Sequence, residues 1–209
     1  MISPLAYVDP AAKIGKNVTV QPFAYIEADV EIGDDSIIMS GARILSGTRM
    51  GKGNKVHHGA VLGSEPQDFH YTGEHTLLVI GDKNDIRENV VISRGTHEGQ
   101  YTQIGNENYL MDGVHLCHDV KIANHCVLGI KTTVAGDCCI DSYVILSSNV
   151  LLQQNCHIGS WSLVQSGCRI SKDVPPYIIM AGNPAEYHGV NAMVLQLSLI
   201  HISEPTRLR

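Results

Sequence analysis

A six-residue period runs through most of the chain and constrains its fold more than any other feature. Stepping by six from Val8 to Ile170 visits 28 positions, and 25 of them hold Val, Ile, Leu or Met. The exceptions are Asp68, Glu74 and Glu98. The period matches neither a helix, at about 3.6 residues, nor an alternating strand. It predicts a short strand followed by a corner, with three such sides forming each coil and the coils stacked as hydrogen-bonded strands.

Small residues occupy fixed places in the repeat. The residue after the inward-facing one is often Gly, as at Gly15, Gly33 and Gly105, and we expect these glycines to form corners that need an unusual backbone angle. Small or aliphatic residues such as Val18 and Ala24 recur four places after the inward one. The alternative, a sandwich with chance spacing, does not account for 25 matches in a single phase.

Composition narrows the class of partner. The net charge of −6 argues against nucleic acid, which calls for a basic surface. All six cysteines are expected to be buried, unbridged and in a reducing compartment. The N-terminus has no signal-peptide pattern, and no apolar stretch reaches the ~18 residues of a membrane span. A cytoplasmic protein is therefore expected.

The repeat is interrupted twice, at about residues 64–79 and 96–103. Both stretches are polar and contain turn residues, which predicts loops that project from the stacked strands, referred to below as the wall. Long loops on a rigid scaffold often carry function, although a tolerated insertion is the alternative.

The end of the chain differs in character from the rest. We expect the β-helix to occupy residues 1–185 and a truncated C-terminal region to begin at 186–196. Residues 197–209 look like a translated sequencing adapter and are expected to be non-native.

The densest set of chemically active residues is the segment His115-Leu116-Cys117-His118-Asp119. Leu116 is an inward position, which leaves both histidines to face outward. An imidazole can take a proton from a hydroxyl near neutral pH, and an adjacent carboxylate can fix its tautomer. A solvated surface corner is the alternative interpretation.

Several segments occur in one order along the ladder: Gln67-Asp68, Ile86-Arg87-Glu88, His115-x-x-His118-Asp119, Ala135-Gly136, Asp173-Val174-Pro175-Pro176-Tyr177 and Gly189-Val190-Asn191. Over residues 1–196 this order resembles the hexapeptide-repeat family that transfers an acyl chain from acyl carrier protein to UDP-N-acetylglucosamine in lipid A biosynthesis. The resemblance implies an all-β fold, a left-handed parallel β-helix with a short irregular or helical C-terminal tail. It also implies a homotrimeric acyltransferase that uses no cofactor or metal.

The same resemblance implies roles for individual residues. His118 would be the general base for the sugar 3-hydroxyl, and Asp119 would orient it. The backbone N–H of Gly136 would stabilise the oxyanion. Gln67 and Asp68 would hold the sugar or the acyl hydroxyl.

Further residues are implied in substrate binding. His115 would help position the substrate, and Asn191 would touch the nucleotide. Ser166 would line an acyl groove between neighbouring subunits.

The chain departs from the family pattern at three positions. His70 replaces a frequent Lys, Asp137 a frequent His, and Gln153 a frequent His beside a retained Gln154. These changes put the sugar and nucleotide contacts in doubt. Because basic residues of the family's C-terminal region would fall within the foreign tail, we expect weak nucleotide binding.

Other functions remain open from the sequence. They are a different hexapeptide sugar acyltransferase, N-acylating or dependent on acetyl-CoA; a zinc-dependent carbonic anhydrase using His115, His118 and either His58 or His125; and a purely structural β-helix. The remaining histidines are expected at the surface or at corners.

Overall fold

The computed structural model describes residues 1–192 and consists of short strands from end to end. The first nine strands are β1 (Tyr7–Val8), β2 (Lys13–Ile14), β3 (Thr19–Val20), β4 (Tyr25–Ile26), β5 (Val30–Ile32), β6 (Ile37–Ile38), β7 (Arg43–Ile44), β8 (Thr48–Met50) and β9 (Lys55–Val56). The next nine are β10 (Val61–Ser64), β11 (Leu77–Ile80), β12 (Asp85–Ile86), β13 (Val91–Ser93), β14 (Tyr101–Ile104), β15 (Tyr109–Leu110), β16 (His115–Leu116), β17 (Lys121–Ile122) and β18 (Val127–Leu128). The last nine are β19 (Thr133–Val134), β20 (Cys139–Ile140), β21 (Ile145–Leu146), β22 (Leu151–Leu152), β23 (His157–Ile158), β24 (Leu163–Val164), β25 (Arg169–Ile170), β26 (Ile178–Ala181) and β27 (Glu186–Val190).

These strands form three sheets that wind around one core. The first sheet runs β1-β4-β7-β10-β13-β16-β19-β22-β25, the second β2-β5-β8-β11-β14-β17-β20-β23, and the third β27-β26-β24-β21-β18-β15-β12-β9-β6-β3. From β4 to β25, each strand pairs in parallel with the strand three places before it. One coil therefore contains one strand from each sheet. The predicted parallel β-helix is confirmed.

Both interruptions leave the wall at the same edge, where the first sheet passes into the second. At an unbroken corner of this edge, successive inward residues are six positions apart, as from Leu116 to Ile122. The separation is 18 positions from Leu62 to Ile80 and 12 from Ile92 to Ile104. Since both insertions are multiples of six, the phase of the ladder survives. Residues 65–76 (loop 1) and 94–100 (loop 2) connect the strands there, and we call this row of corners the loop edge.

The corners need a left-handed backbone, but of the eight glycines that directly follow an inward residue only Gly63, with a φ of 82°, supplies it. Positive φ occurs three places after the inward residue, at Asn17 (56°) and Asp119 (60°), for example. Gly33 and Gly105 lie elsewhere in the repeat, and a Cβ on either would come within 2.5 Å of the backbone of the next coil. The predicted role was therefore wrong, because these glycines are required by the close stacking of coils rather than by backbone angle.

The core is a column of aliphatic side chains. Inward positions from Val20 to Ile170 outside the loops are buried. Six cysteines are free, but the expectation that all are buried was wrong for two. Cys139 is exposed and Cys117 half-buried, because they stand one place before and one place after an inward position and so project outward.

A buried row of asparagines runs along the edge where the second sheet passes into the third. Asn84 donates its N–H and its side-chain amide to Asn54 Oδ1, at 2.9 and 3.0 Å. Asn108 repeats both bonds to Asn84 Oδ1, at 2.9 and 3.0 Å. Each side chain is fully buried and bonds the coil above and the coil below, which locks the stacking register.

The last described segment closes on the third sheet as a hairpin. β26 pairs in parallel with β24, and β27 returns antiparallel to β26. Residues 186–190, expected to be irregular or helical, are thus a strand, because their backbone pairs antiparallel with β26. Residues 197–209 lie outside the described residues. Within residues 1–192 no helix is long and apolar enough to cross a membrane.

Replacing Asn84 by Ala should lower the free energy of unfolding by about 2–4 kcal/mol, because it leaves amide and carbonyl groups of two coils buried without partners. Asn106 is the control: its Oδ1 accepts the Asp82 N–H, and its own N–H and side-chain amide donate to Asn124 Oδ1, but it is exposed to water. Asn106→Ala should cost at most about 1 kcal/mol. If urea unfolding gives the same loss of free energy of unfolding for Asn84→Ala and Asn106→Ala, then burial of the row is unimportant.

Candidate functional site

The candidate site lies on the loop edge and is built by the stacking of coils. Strands β16, β19 and β22 are paired neighbours, so residues 18 apart stand above one another. His118, Gly136 and Gln154 therefore form one column of corner residues, and loops 1 and 2 leave the same edge beside it.

The His118 imidazole lies between two carboxylates. Its Nδ1 is 3.0 Å from Asp119 Oδ2, and its Nε2 is 3.3 Å from Asp68 Oδ2. The residue is only 9% exposed, so water screens these contacts weakly. A histidine held on both nitrogens has a fixed ring orientation, as a general base requires.

Asp119 is fixed by the coil below and by loop 2. Its backbone N–H donates to Thr102 Oγ1 at 2.9 Å, which holds the left-handed corner. The Thr96 N–H donates to Asp119 Oδ2 at 3.1 Å. The oxygen that faces His118 is thus oriented by a backbone group of loop 2.

Asp68 reaches His118 from loop 1. Its Oδ1 accepts the His70 N–H at 2.7 Å and faces His70 Nδ1 at 2.8 Å. These bonds, together with the positive charge that His118 can carry, hold the pKa of Asp68 below its ordinary value. Asp68 is consequently a carboxylate at neutral pH, with Oδ2 turned to His118.

Gly136 forms the floor beneath the imidazole. A Cβ there would lie 2.5 Å from His118 Cε1 and 2.7 Å from Nε2, so only Gly lets the ring lie flat against the next coil. Its carbonyl accepts the Asn155 N–H, whereas its own N–H has no acceptor within residues 1–192. That N–H is therefore available to donate to a bound ligand.

A cavity of about 270 Å³ opens over these groups. Its lining residues are Asp68, His70, Thr96, His97, Gln100, His118, Asp119, Asp137 and Gln154. Three carboxylates and three imidazoles face it, and among the residues the structure describes no Lys or Arg does. Asp137 Oδ2 accepts the Gln154 amide at 3.1 Å, so the two residues form one wall.

Other residues predicted for the site lie elsewhere. Gln67, His115 and Gln153 do not line the cavity, although all three belong to the adjoining wall or loop. His115 is half-buried on β16, where burial lowers the pKa of its imidazole.

Two predicted residues are on other edges of the same chain. Ser166 is exposed at the corner after β24, where the third sheet passes into the first. Asn191 is buried, and its side chain donates to the Trp161 carbonyl at 2.9 Å at the corner after the second sheet. Neither can join the His118 cavity from within one copy.

Sequence reasoning missed the residues of loop 2. Thr96 orients Asp119, and His97 and Gln100 line the cavity. The second break in the ladder was the available signal, but the repeat does not show where a loop folds back.

The zinc alternative calls for three histidines, some of them from a neighbouring subunit. Within residues 1–192 no three His, Cys, Asp or Glu side chains are arranged to hold a metal ion.

Comparison with known proteins identifies close relatives. The family model described as bacterial transferase hexapeptide (six repeats) matches residues 11–46 and 29–64. An acyl-[acyl-carrier-protein]–UDP-N-acetylglucosamine O-acyltransferase from Stutzerimonas stutzeri is 43% identical over 192 residues, which are 91% of this chain and 74% of the relative.

Solved structures agree with this relationship. A UDP-N-acetylglucosamine acyltransferase from Bacteroides fragilis is 50% identical with a TM-score of 0.93, covering 95% of this chain and 78% of its own. The Francisella novicida enzyme is 35% identical with a TM-score of 0.94, covering 97% and 75%. Since so close a superposition requires the same winding, the predicted left-handed hand of the β-helix is confirmed.

Gly136→Ala should destabilise the fold by about 1–3 kcal/mol, because the new methyl group overlaps the His118 ring. In a His118→Ala background the same change should cost less than about 0.5 kcal/mol, since the clash is gone. Urea unfolding of the four chains measures both values. An equal cost in both backgrounds would mean that the ring does not rest on Gly136.

Proposed function

Because the chain belongs to the family of acyl-[acyl-carrier-protein]–UDP-N-acetylglucosamine O-acyltransferases, we propose that it moves a 3-hydroxyacyl chain from acyl carrier protein to the 3-hydroxyl of UDP-N-acetylglucosamine, the first step of lipid A biosynthesis. The observation that carries the proposal is the His118 imidazole, held between Asp119 and Asp68 above Gly136.

His118 is the general base in this mechanism. Asp119 Oδ2 accepts the Nδ1 proton, which leaves Nε2 unprotonated at the cavity, beside Asp68 Oδ2. As the sugar oxygen attacks the thioester carbonyl carbon, its proton passes to Nε2. The imidazolium that forms lies between two carboxylates, so its charge is stabilised without reorganisation of the site.

The tetrahedral intermediate then collapses. Its oxyanion lies against the free Gly136 N–H, a contact of a kind commonly worth about 3 kcal/mol in the transition state. The carbon–sulfur bond breaks, the thiolate takes the proton from His118, and the free base is restored. The products are the O-acylated sugar nucleotide and the thiol of the carrier protein.

The cavity suits the sugar end of the substrate. At about 270 Å³ it is below the range of roughly 300–1,000 Å³ typical for whole ligands, so it can enclose only part of a nucleotide sugar. Asp68, Asp137 and Gln154 offer acceptors and an amide for hydroxyl groups. Three carboxylates disfavour the diphosphate, which we place outside this cavity.

A homotrimer supplies the missing groups. Ser166 and Asn191 lie on the other two edges, so we assign them to the site of an adjacent copy. Ile145 and Leu151 project from the third and first sheets and are 38% and 49% exposed, as expected for faces that pack between copies. The acyl chain would lie along that junction.

The proposed partners and location follow from the reaction. Acyl carrier protein delivers the acyl thioester, and UDP-N-acetylglucosamine accepts the acyl group. Six unbridged cysteines accord with the reducing cytoplasm predicted from the sequence.

His118→Ala should lower turnover of UDP-N-acetylglucosamine with 3-hydroxyacyl carrier protein by about 10²–10⁴-fold, because it removes the group that takes the proton in the proposed mechanism. The midpoint of thermal unfolding should stay within a few degrees. His157→Ala, an exposed histidine on the second sheet, is the matched control and should keep full turnover. Retained turnover in His118→Ala would remove this residue from the base role.

Light scattering should give a mass three times the 22.7-kDa chain. Ile145→Glu should reduce it toward a single chain, because a charge would be buried without a partner between copies. The parent chain running at the mass of a single copy would contradict the trimer.

A further inference from the structure

Arg94 stands where loop 2 begins and reaches across to loop 1. It follows β13 directly, and its side chain is only 14% exposed. From its contacts we infer that Arg94 is a positioning residue: it fastens loop 1 to the coil wall and so holds Asp68 against His118. The inference rests on the function proposed above.

The guanidinium makes contacts in two directions at once. Toward the wall, Nη1 donates to the carbonyls of Ser46 and Gly63, both at 3.3 Å. Toward the loop, Nη2 donates to Tyr71 Oη at 2.7 Å and lies 3.5 Å from Glu65 Oε1. The guanidinium also lies over the Tyr71 ring, 5.7 Å from its centre.

Loop 1 has few other attachments. Most of its bonds are internal, such as Thr72 to Glu74 and the Tyr71 N–H to the Asp68 carbonyl. Among the described residues, two polar side-chain contacts tie residues 69–75 to the β-helix: Arg94 with Tyr71, and His75 with Asp29 at 3.0 Å. The second pair is largely exposed, and exposed pairs contribute little.

The connection to chemistry runs through Asp68. Tyr71 is three residues past Asp68 and bonded to its carbonyl, so moving Tyr71 moves the carboxylate. Misplacing a group at an active site by about 1 Å can cost about 10²-fold in rate. A planar guanidinium can bind two carbonyls and a hydroxyl together, whereas an ammonium cannot match that geometry.

The test measures kcat and KM for UDP-N-acetylglucosamine in Arg94→Met, Arg94→Lys and Tyr71→Phe. Arg94→Met should lose about 10–100-fold in kcat/KM, and Arg94→Lys should recover only part of it. Tyr71→Phe keeps the ring under the guanidinium but loses the hydrogen bond from Arg94, and its kcat/KM should fall less than that of Arg94→Met. Lys52→Met, an exposed cation on another edge, should keep parental values.

A double-mutant cycle separates positioning from general stability. If Arg94 acts through Asp68, then Arg94→Met in an Asp68→Ala background should cost less than about threefold. A cost equal to that in the parent chain would overturn the inference, as would parental kinetics in both Arg94 variants.

Amide exchange provides a reading that does not depend on turnover. Peptides covering residues 66–75 should exchange faster in Arg94→Met and Arg94→Lys, while those of β16 and β19 stay protected. If Arg94→Met fails to fold, the kinetics and amide exchange of Arg94→Lys and Tyr71→Phe test the inference in its place. An inactive parent chain would overturn the proposed function, whereas unchanged exchange in loop 1 would overturn this inference alone.

Discussion

Parallel pairing between strands three places apart, which runs from β1 to β25, is the interaction that organises the molecule. It sets one coil on the next in fixed register, so that corner residues 18 positions apart become neighbours. His118, Gly136 and Gln154 are distant in sequence, yet they form a continuous column because of that pairing. A shift of one residue in the register would turn the inward aliphatic residues to solvent and disperse this column.

Rigid stacking also explains why the candidate site lies on one edge. The wall offers only flat strands and tight corners, neither of which encloses a substrate. Both insertions leave the wall at the same edge and lean over the same column, which turns a corner into a cavity. Asp68 comes from the first loop and the Thr96 N–H from the second, so each nitrogen of His118 is oriented by a separate insertion.

Much of the fold could be predicted from the sequence, because a period of six with inward aliphatic residues has few solutions. Most of the glycines that follow an inward residue were assigned the wrong role, because the repeat cannot show whether a small residue is needed for its backbone angle or for the close stacking of coils. The row at Asn54, Asn84 and Asn108 escaped notice because irregular spacing in the chain hides its vertical alignment.

The site was predictable to a different extent. His118 and Asp119 stand out by chemistry and by their place beside an inward Leu116, and their roles stay predictions that rest on family resemblance. Arg94 and Thr96 gave no such signal, because their contacts depend on how two loops fold against each other. Ser166 and Asn191 were assigned to the same site, yet one copy holds them on different edges.

In the proposed mechanism, His118 Nε2 receives the proton of the sugar 3-hydroxyl. A crystal structure of the enzyme with bound UDP-N-acetylglucosamine tests it most directly. The 3-hydroxyl oxygen is expected at about 2.6–3.2 Å from Nε2, with Asp119 still bonded to Nδ1. A sugar bound with another hydroxyl at Nε2, or lying away from the His118 cavity altogether, would contradict it.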